Sequence, residues 1–232
     1  LGKIANGERK RIGMKVVGVT GSVGKSTTKE MISTVLETTF RTAKTPANHN
    51  NDIGMPMGIL SMPGDTEVAV LEMGMNHFRE MAYLSGIGQP DVAVIVNIGT
   101  MHIEHLGSQE GILQAKLEIL EGMEATAPVL LNGDDKHLKT ADCGMHPVRY
   151  FGVGENCAVR GLEPEISTGC VSFRVKAGDR EFPIELPVEG EHFVCDALAA
   201  VAVGLELGVE SVKIQESLSN FRNMAGRQEI YK

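Results

Sequence analysis

The 232-residue chain has no tryptophan, three tyrosines and seven phenylalanines. Base-stacking platforms and aromatic sugar clamps need aromatic faces, so neither is expected. Positive charge is also short: 22 Lys and Arg against 30 Asp and Glu give a formal charge of −8. Nonspecific nucleic-acid binding needs a basic surface, and that class is excluded. An acidic protein that handles a polyanion must do so with local devices, such as a glycine loop or a metal ion. No run reaches the ~18 apolar residues of a membrane helix, and no secretory pattern opens the chain, so no membrane insertion is expected. Cys143, Cys157, Cys170 and Cys195 show no CxxC or metal-ligand spacing. Free thiols in a cytoplasmic protein are the expectation.

Glycine, in contrast, is abundant at 27 residues, which implies many sharp turns. Apolar residues at 42% and charged residues at 22% are ordinary for a globular protein. At roughly 150 residues per domain the length suggests about one and a half domains. Residues 1–11 are polar and do not begin with Met, and residues 229–232 stop on what reads as the start of a strand. A piece of a longer chain is expected.

Apolar runs alternate with helical patterns. Strands are expected at 14–20, 68–73, 91–97 and 128–132, with a fifth near 149–152. Helices are expected at 25–38, where Met31, Ile32, Val35 and Leu36 recur at helical spacing, and at 108–123. This alternation predicts an α/β fold with a mostly parallel sheet flanked by helices. From about residue 157 to 187 three short runs separated by turn residues predict a small antiparallel β-meander. Helices resume at 191–207 and 211–220.

The strongest local motif is Gly18-Val19-Thr20-Gly21-Ser22-Val23-Gly24-Lys25-Ser26-Thr27, between a predicted strand and a predicted helix. Glycines let backbone N–H groups turn inward around a phosphate, and the helix N-terminus adds positive potential. Lys25 would reach the β- and γ-phosphates, and Ser26 would offer a hydroxyl to Mg²⁺. The common GxxxxGK[ST] form would have glycine at position 19, where this chain has valine. The bland alternative is a glycine-rich turn with a surface lysine. Glu72 ends a buried strand, where open α/β sheets bind ligands, and could hold Mg²⁺; an ordinary strand-end carboxylate is the alternative. His102 and His105 follow the strand at 91–97, but HxxH spacing is weak and no cysteine lies near to complete a zinc site. Lys116 falls in the row 112–116–119–123, inside the apolar stripe of its helix. It is either a snorkelling lysine or one held in a low-dielectric site with a lowered pKa. Asn48-His49-Asn50-Asn51-Asp52 is either a capping turn or a ligand-orienting cluster.

Together these residues resemble the central ATPase domain of the Mur ligase family. TGSVGKST at 20–27 matches the family's glycine placement, so the valine at position 19 ceases to be an anomaly. TPANHNNDIGMP at 45–56, LEMG at 71–74, HLGSQEGILQAK ending on Lys116, fourteen residues after His102, and AGRQEI at 225–230 match further segments. The resemblance covers almost the whole chain. It implies a single P-loop NTPase-like domain over residues 1–232, with the family's UDP-substrate domain and C-terminal domain outside this chain. It implies that Thr20, Gly21, Ser22, Val23, Gly24, Lys25, Ser26, Thr27, Asn51, Asp196 and Arg227 bind ATP. Ser26 and Glu72 would hold one Mg²⁺. His102 and a CO₂-derived carbamate on Lys116 would hold a second. Lys25, Glu72, His102 and Lys116 would be the catalytic set.

The activity implied is ATP-dependent amide ligation in peptidoglycan precursor synthesis, joining D-alanyl-D-alanine to UDP-MurNAc-tripeptide through an acyl phosphate. A cytoplasmic monomer, inactive as the isolated domain, is expected. One departure is that GxHNxxNALAA in the family reads Gly190-Glu191-His192-Phe193-Val194-Cys195-Asp196-Ala197 here, so the adenine contacts are open. Other readings are another Mur-type or folylpolyglutamate-synthase-like ligase, a P-loop regulatory NTPase, and a noncatalytic nucleotide-binding module.

Overall fold

A computed structural model describes residues 1–46 and 49–222. In chain order the elements are α1 (Gly2–Ile12), β1 (Lys15–Thr20), α2 (Lys25–Leu36), β2 (Thr42–Lys44), α3 (Gly54–Leu60), β3 (Val68–Glu72), α4 (Glu80–Gly88) and β4 (Val92–Ile95). They continue with α5 (Ile103–Leu106), α6 (Gln109–Leu117), β5 (Val129–Asn132), β6 (Val148–Gly152), β7 (Val159–Ser167), β8 (Cys170–Ala177), β9 (Arg180–Leu186), α7 (His192–Glu206) and α8 (Ser211–Ser219). The strands form one nine-stranded sheet in the order β2-β3-β1-β4-β5-β6-β7-β8-β9. All pairings from β2 through β7 are parallel; β7–β8 and β8–β9 are antiparallel.

Both faces of the parallel part are covered, which is why its strands read as unbroken apolar runs. Val17, Val19, Val70 and Val94 point into a core built with α2, α7 and α8. Val16, Ala69, Leu71, Ala93 and Ile95 point into the opposite core, with Ala5 of α1, Met55 of α3, Met81 of α4 and Ile112 of α6. The meander is one-sided and alternates accordingly. Val171, Phe173 and Val175 are buried and sit opposite Leu186, Ile184 and Phe182. This hairpin is no separate appendage: it extends the main sheet and closes the α2–α7 core.

The expected helix at 108–123 divides. Its α-helical part ends at Leu117, and a 3₁₀ turn carries on from Glu118 to Gly122. The approach of α4 explains the tightening. Ser85 Oγ donates to the Ile119 carbonyl, and the Gly122 Cα sits where a Cβ would meet the Ser85 backbone at 2.3 Å. Helix α1 lies in the segment read only as polar. It is held by the Glu8–Arg11 pair, by a left-handed Gly13 cap, and by Arg9 donating to the Gly88 and Gln89 carbonyls.

Candidate functional site

The strand order turns at β1: the chain runs outward to β2 and β3 on one side, then crosses to β4 on the other. Carboxyl ends of β1, β3 and β4 meet there, the place where open α/β sheets leave a crevice. A cleft of about 700 Å³ opens at that end. Gly21, Ser22 and Lys25 line it from the loop after β1, Asn50, Asn51 and Asp52 from the segment before α3, and His102 and Lys116 from the loops and helix after β4.

The loop from Gly21 to Gly24 joins β1 directly to α2. Gly24 takes a left-handed conformation with φ +82°, and a Cβ there would stand 2.9 Å from Asp196 Oδ1. Only glycine makes that turn without strain. Two devices brace the loop. Asn97 Oδ1 accepts from the Ser22 and Val23 amides at 3.0 Å each, and Ser22 Oγ accepts from the Gly99 amide at 2.8 Å. The Lys25 ammonium folds back over the loop, donating to the Gly21 and Ser22 carbonyls at 2.9 and 3.1 Å. Ser26 is buried at the start of α2, and Thr27 is half-buried beside it. Thr20 is buried at the end of β1, and Val23 is exposed at the crest of the loop. Val19 is buried inside β1, paired with Glu72, where a side chain is packed rather than a turn made.

Glu72 lies just behind the cleft wall and is 2% exposed. Its Oε1 accepts from Asn50 Nδ2 at 2.9 Å, and its amide donates to Thr45 Oγ1 at 3.0 Å. Its Oε2 is buried with no hydrogen bond; the Thr20 hydroxyl is in the same condition. Orphaned oxygens beside a phosphate-type loop are hard donors that suit a Mg²⁺ ion. Among the described residues no three His, Cys, Asp or Glu side chains cluster as a ready metal site. Mg²⁺ takes one or two protein oxygens and fills its shell with water and phosphate.

Lys116 sits in the last turn of α6, only 3% exposed. Burial, with the Lys25 charge adding to it, pulls its pKa from 10.5 to about 7. A substantial share of its amine is therefore neutral near pH 7. The sequence left a choice between a snorkelling stem and a desolvated amine, and the structure shows the desolvated amine. His102 lines the same cleft from a left-handed position, φ +66°. His105 turns away and stacks on His77, ring centroids 4.5 Å apart.

Asn51 lines the cleft, and its Oδ1 also accepts from the Ile53 and Gly54 amides, opening α3. The polar cluster is thus both a capping turn and a cleft wall. Asp196 does not line the cleft. It is 3% exposed, Thr28 Oγ1 donates to its Oδ1 at 2.7 Å, and burial raises its pKa from 3.8 to about 7. Arg227 and Asn48 lie outside the described residues. Sequence reading missed Asn97, Thr45 and Lys29. Lys29 did carry a signal: it lies four residues after Lys25 on the same face of a helix that is otherwise buried there.

Residues 19–204 match the Mur ligase middle domain. The UDP-N-acetylmuramoyl-tripeptide–D-alanyl-D-alanine ligase of Bacillus subtilis is 39% identical over all of this chain, which covers 50% of that protein. A crystal structure of MurF from Acinetobacter baumannii superposes with a TM-score of 0.93 at 35% identity, covering all of this chain and 51% of that one. MurF ligase from Thermotoga maritima, in a structure described as a complex with ADP, gives a TM-score of 0.90 at 29% identity over all of this chain and 54% of that one. The chain thus spans about half the length of the relatives it matches. With that sequence match and that fold, this chain belongs to the Mur ligase middle-domain family.

Proposed function

We propose that this chain is the ATP-binding core of a larger cytoplasmic, monomeric ligase of peptidoglycan precursor synthesis. The whole enzyme joins D-alanyl-D-alanine to UDP-MurNAc-tripeptide and splits ATP to ADP and phosphate. The observation that carries this reading is one cleft lined by a phosphate-type loop, Lys25, His102 and the desolvated Lys116. A simple NTPase needs the loop and a carboxylate; it has no use for a buried second lysine on the far wall.

The chemistry sets a problem of charge. The tripeptide carboxylate must approach the γ-phosphate, and anions repel. The amides of Gly21–Gly24 and the N-terminus of α2 hold the β- and γ-phosphates. Lys25 leaves the loop carbonyls for the phosphate oxygens and offsets their charge. The carboxylate oxygen attacks phosphorus, ADP leaves, and an acyl phosphate forms. The D-alanyl-D-alanine amine then attacks the acyl carbon, and phosphate departs with the carboxylate's former oxygen. Ser26 and Glu72 would hold one Mg²⁺, and His102 with a carbamate on Lys116 a second; bound Mg²⁺ would neutralise phosphate charge. The neutral amine that burial favours at Lys116 is the form that adds CO₂. Asn51 shapes the phosphate end of the cleft. Asp196 is proposed for the adenine end on the resemblance alone; its carboxyl is buried, bonded to Thr28 and outside the cleft lining. Arg227 is proposed for the γ-phosphate end on the resemblance alone.

The test uses the full-length enzyme with both substrates. Lys116→Ala should abolish amide formation, and short carboxylic acids should restore part of it by standing in for the carbamate. Undiminished activity in Lys116→Ala would refute the reading.

A further inference from the structure

Lys29 is among the largest fully buried side chains, and it is charged: its side-chain exposure is 0%. A snorkelling lysine keeps its head in water. This one does not. Its ammonium donates to the Thr45 carbonyl at 2.8 Å, lies 3.3 Å from Glu30 Oε1, and faces Glu72 Oε2 at 3.8 Å. The last distance is ionic, too long for a hydrogen bond. Glu30 is balanced in turn by Lys44 at 2.6 Å. A chain of alternating charges, Lys44–Glu30–Lys29–Glu72, therefore runs from the half-exposed edge of the sheet to the wall of the cleft.

We propose that Lys29 is a positioning residue, the internal counter-ion that fixes the buried Glu72 carboxylate as a metal-binding group before any metal arrives. The proposal rests on the ligase reading of the cleft. Three constraints converge on Glu72. Its backbone amide is tied to Thr45 Oγ1, its Oε1 to Asn50, and its Oε2 is held by charge alone. Lys29 links the first and third, since it binds the Thr45 carbonyl and faces Oε2. A hydrogen bond from Lys29 to Oε2 would occupy that oxygen. A stand-off ammonium at 3.8 Å compensates the charge and leaves the lone pairs open for a cation. Repulsion between Lys29 and that cation is muted because the two cations and two anions of the chain Lys44–Glu30–Lys29–Glu72 balance as a set, leaving no net positive charge behind the carboxylate. Lys25 and Lys29, one helical turn apart on α2, thus divide the work: one turns to the loop and the phosphates, the other to the carboxylate.

A buried ion pair kept only for stability could be exchanged for apolar groups at little cost, whereas losing one partner strands the other. This separates an action through Glu72 from general packing. The experiment compares full-length wild type, Lys29→Met, Lys29→Gln, Glu72→Gln and the double variant Lys29→Met/Glu72→Gln. Mn²⁺ binding is read by electron paramagnetic resonance with a nonhydrolysable ATP analogue bound, and analogue affinity is read calorimetrically in EDTA. Lys29→Met should weaken Mn²⁺ binding at least tenfold and leave the affinity in EDTA within twofold. It should add no further loss in the Glu72→Gln background. Equal losses in both backgrounds, no loss at all, or an equal loss in EDTA would overturn the proposal. Where the single Lys29 variants do not fold, a folded double variant supports the pairing and an unfolded one overturns it. Wild type that binds no nucleotide-dependent Mn²⁺ would instead dispose of the ligase reading itself.

Discussion

Replacing Lys116 with methionine should make the protein more stable while disabling its site. The methionine keeps the apolar stem and removes the ammonium that burial penalises. Lys116 is 3% exposed, and among the described residues no carboxylate pairs with it. Its pKa falls from 10.5 unfolded to about 7 folded. The unfolded chain therefore binds the proton more tightly, and stability rises with pH between those values. Below pH 7 both states carry the proton and the full penalty stands. Linkage puts that penalty at about 4 kcal/mol near pH 7 as an upper bound. Between pH 7 and 8.5 about 1 to 2 kcal/mol of it is relieved. Urea unfolding of wild type and Lys116→Met in CO₂-depleted buffer reads this directly. The variant should be the more stable at pH 7, and its advantage should shrink by about 1 to 2 kcal/mol by pH 8.5. The thiols of Cys143, Cys157 and Cys195, all pushed up by burial, are common to both proteins and cancel from the difference. A destabilised variant, or an advantage that does not change with pH, would refute the reasoning.

Gly24→Ala forces a side chain into a left-handed position and 2.9 Å from Asp196 Oδ1. It should cost about 1 to 3 kcal/mol in unfolding free energy and weaken nucleotide binding more than tenfold by calorimetry. Asp196 has the opposite linkage: its pKa is raised from 3.8 to about 7, so the folded state binds the proton more tightly. Its contribution is fully present below the unfolded value and is lost as pH rises towards 7, at no more than about 1.4 kcal/mol per pH unit. Asp196→Asn should flatten that slope, and an unchanged slope would show that other groups set it.

Much of this was legible in residue order because local chemistry and global fold agree. The loop at 18–27 needs glycine where the backbone turns left-handed and lysine one step later, and both stand at those positions. Lys116 was legible as a charge inside an apolar row. The added effect of the Lys25 charge on its pKa was not, since Lys25 arrives from an element distant in sequence. The helix at residues 2–12 was illegible by apolar period: it has few apolar residues and is held by Arg9 reaching the carbonyls after α4. Helices α3 and α4 went unread for a related reason, being short and rich in Gly and Met. The Lys29–Glu72 and Asn97–Ser22 contacts join residues 43 and 75 apart, separations at which sequence spacing carries no signal.

The oxygen ledger of the reaction offers the most direct test of the ligase reading. The full-length enzyme would be given ATP, D-alanyl-D-alanine and UDP-MurNAc-tripeptide labelled with ¹⁸O in the reacting carboxylate, and the released phosphate analysed by mass spectrometry. If the carboxylate attacks phosphorus in this cleft, each phosphate carries one labelled oxygen for each amide formed. Unlabelled phosphate, or ATP splitting with no amide product, would contradict it.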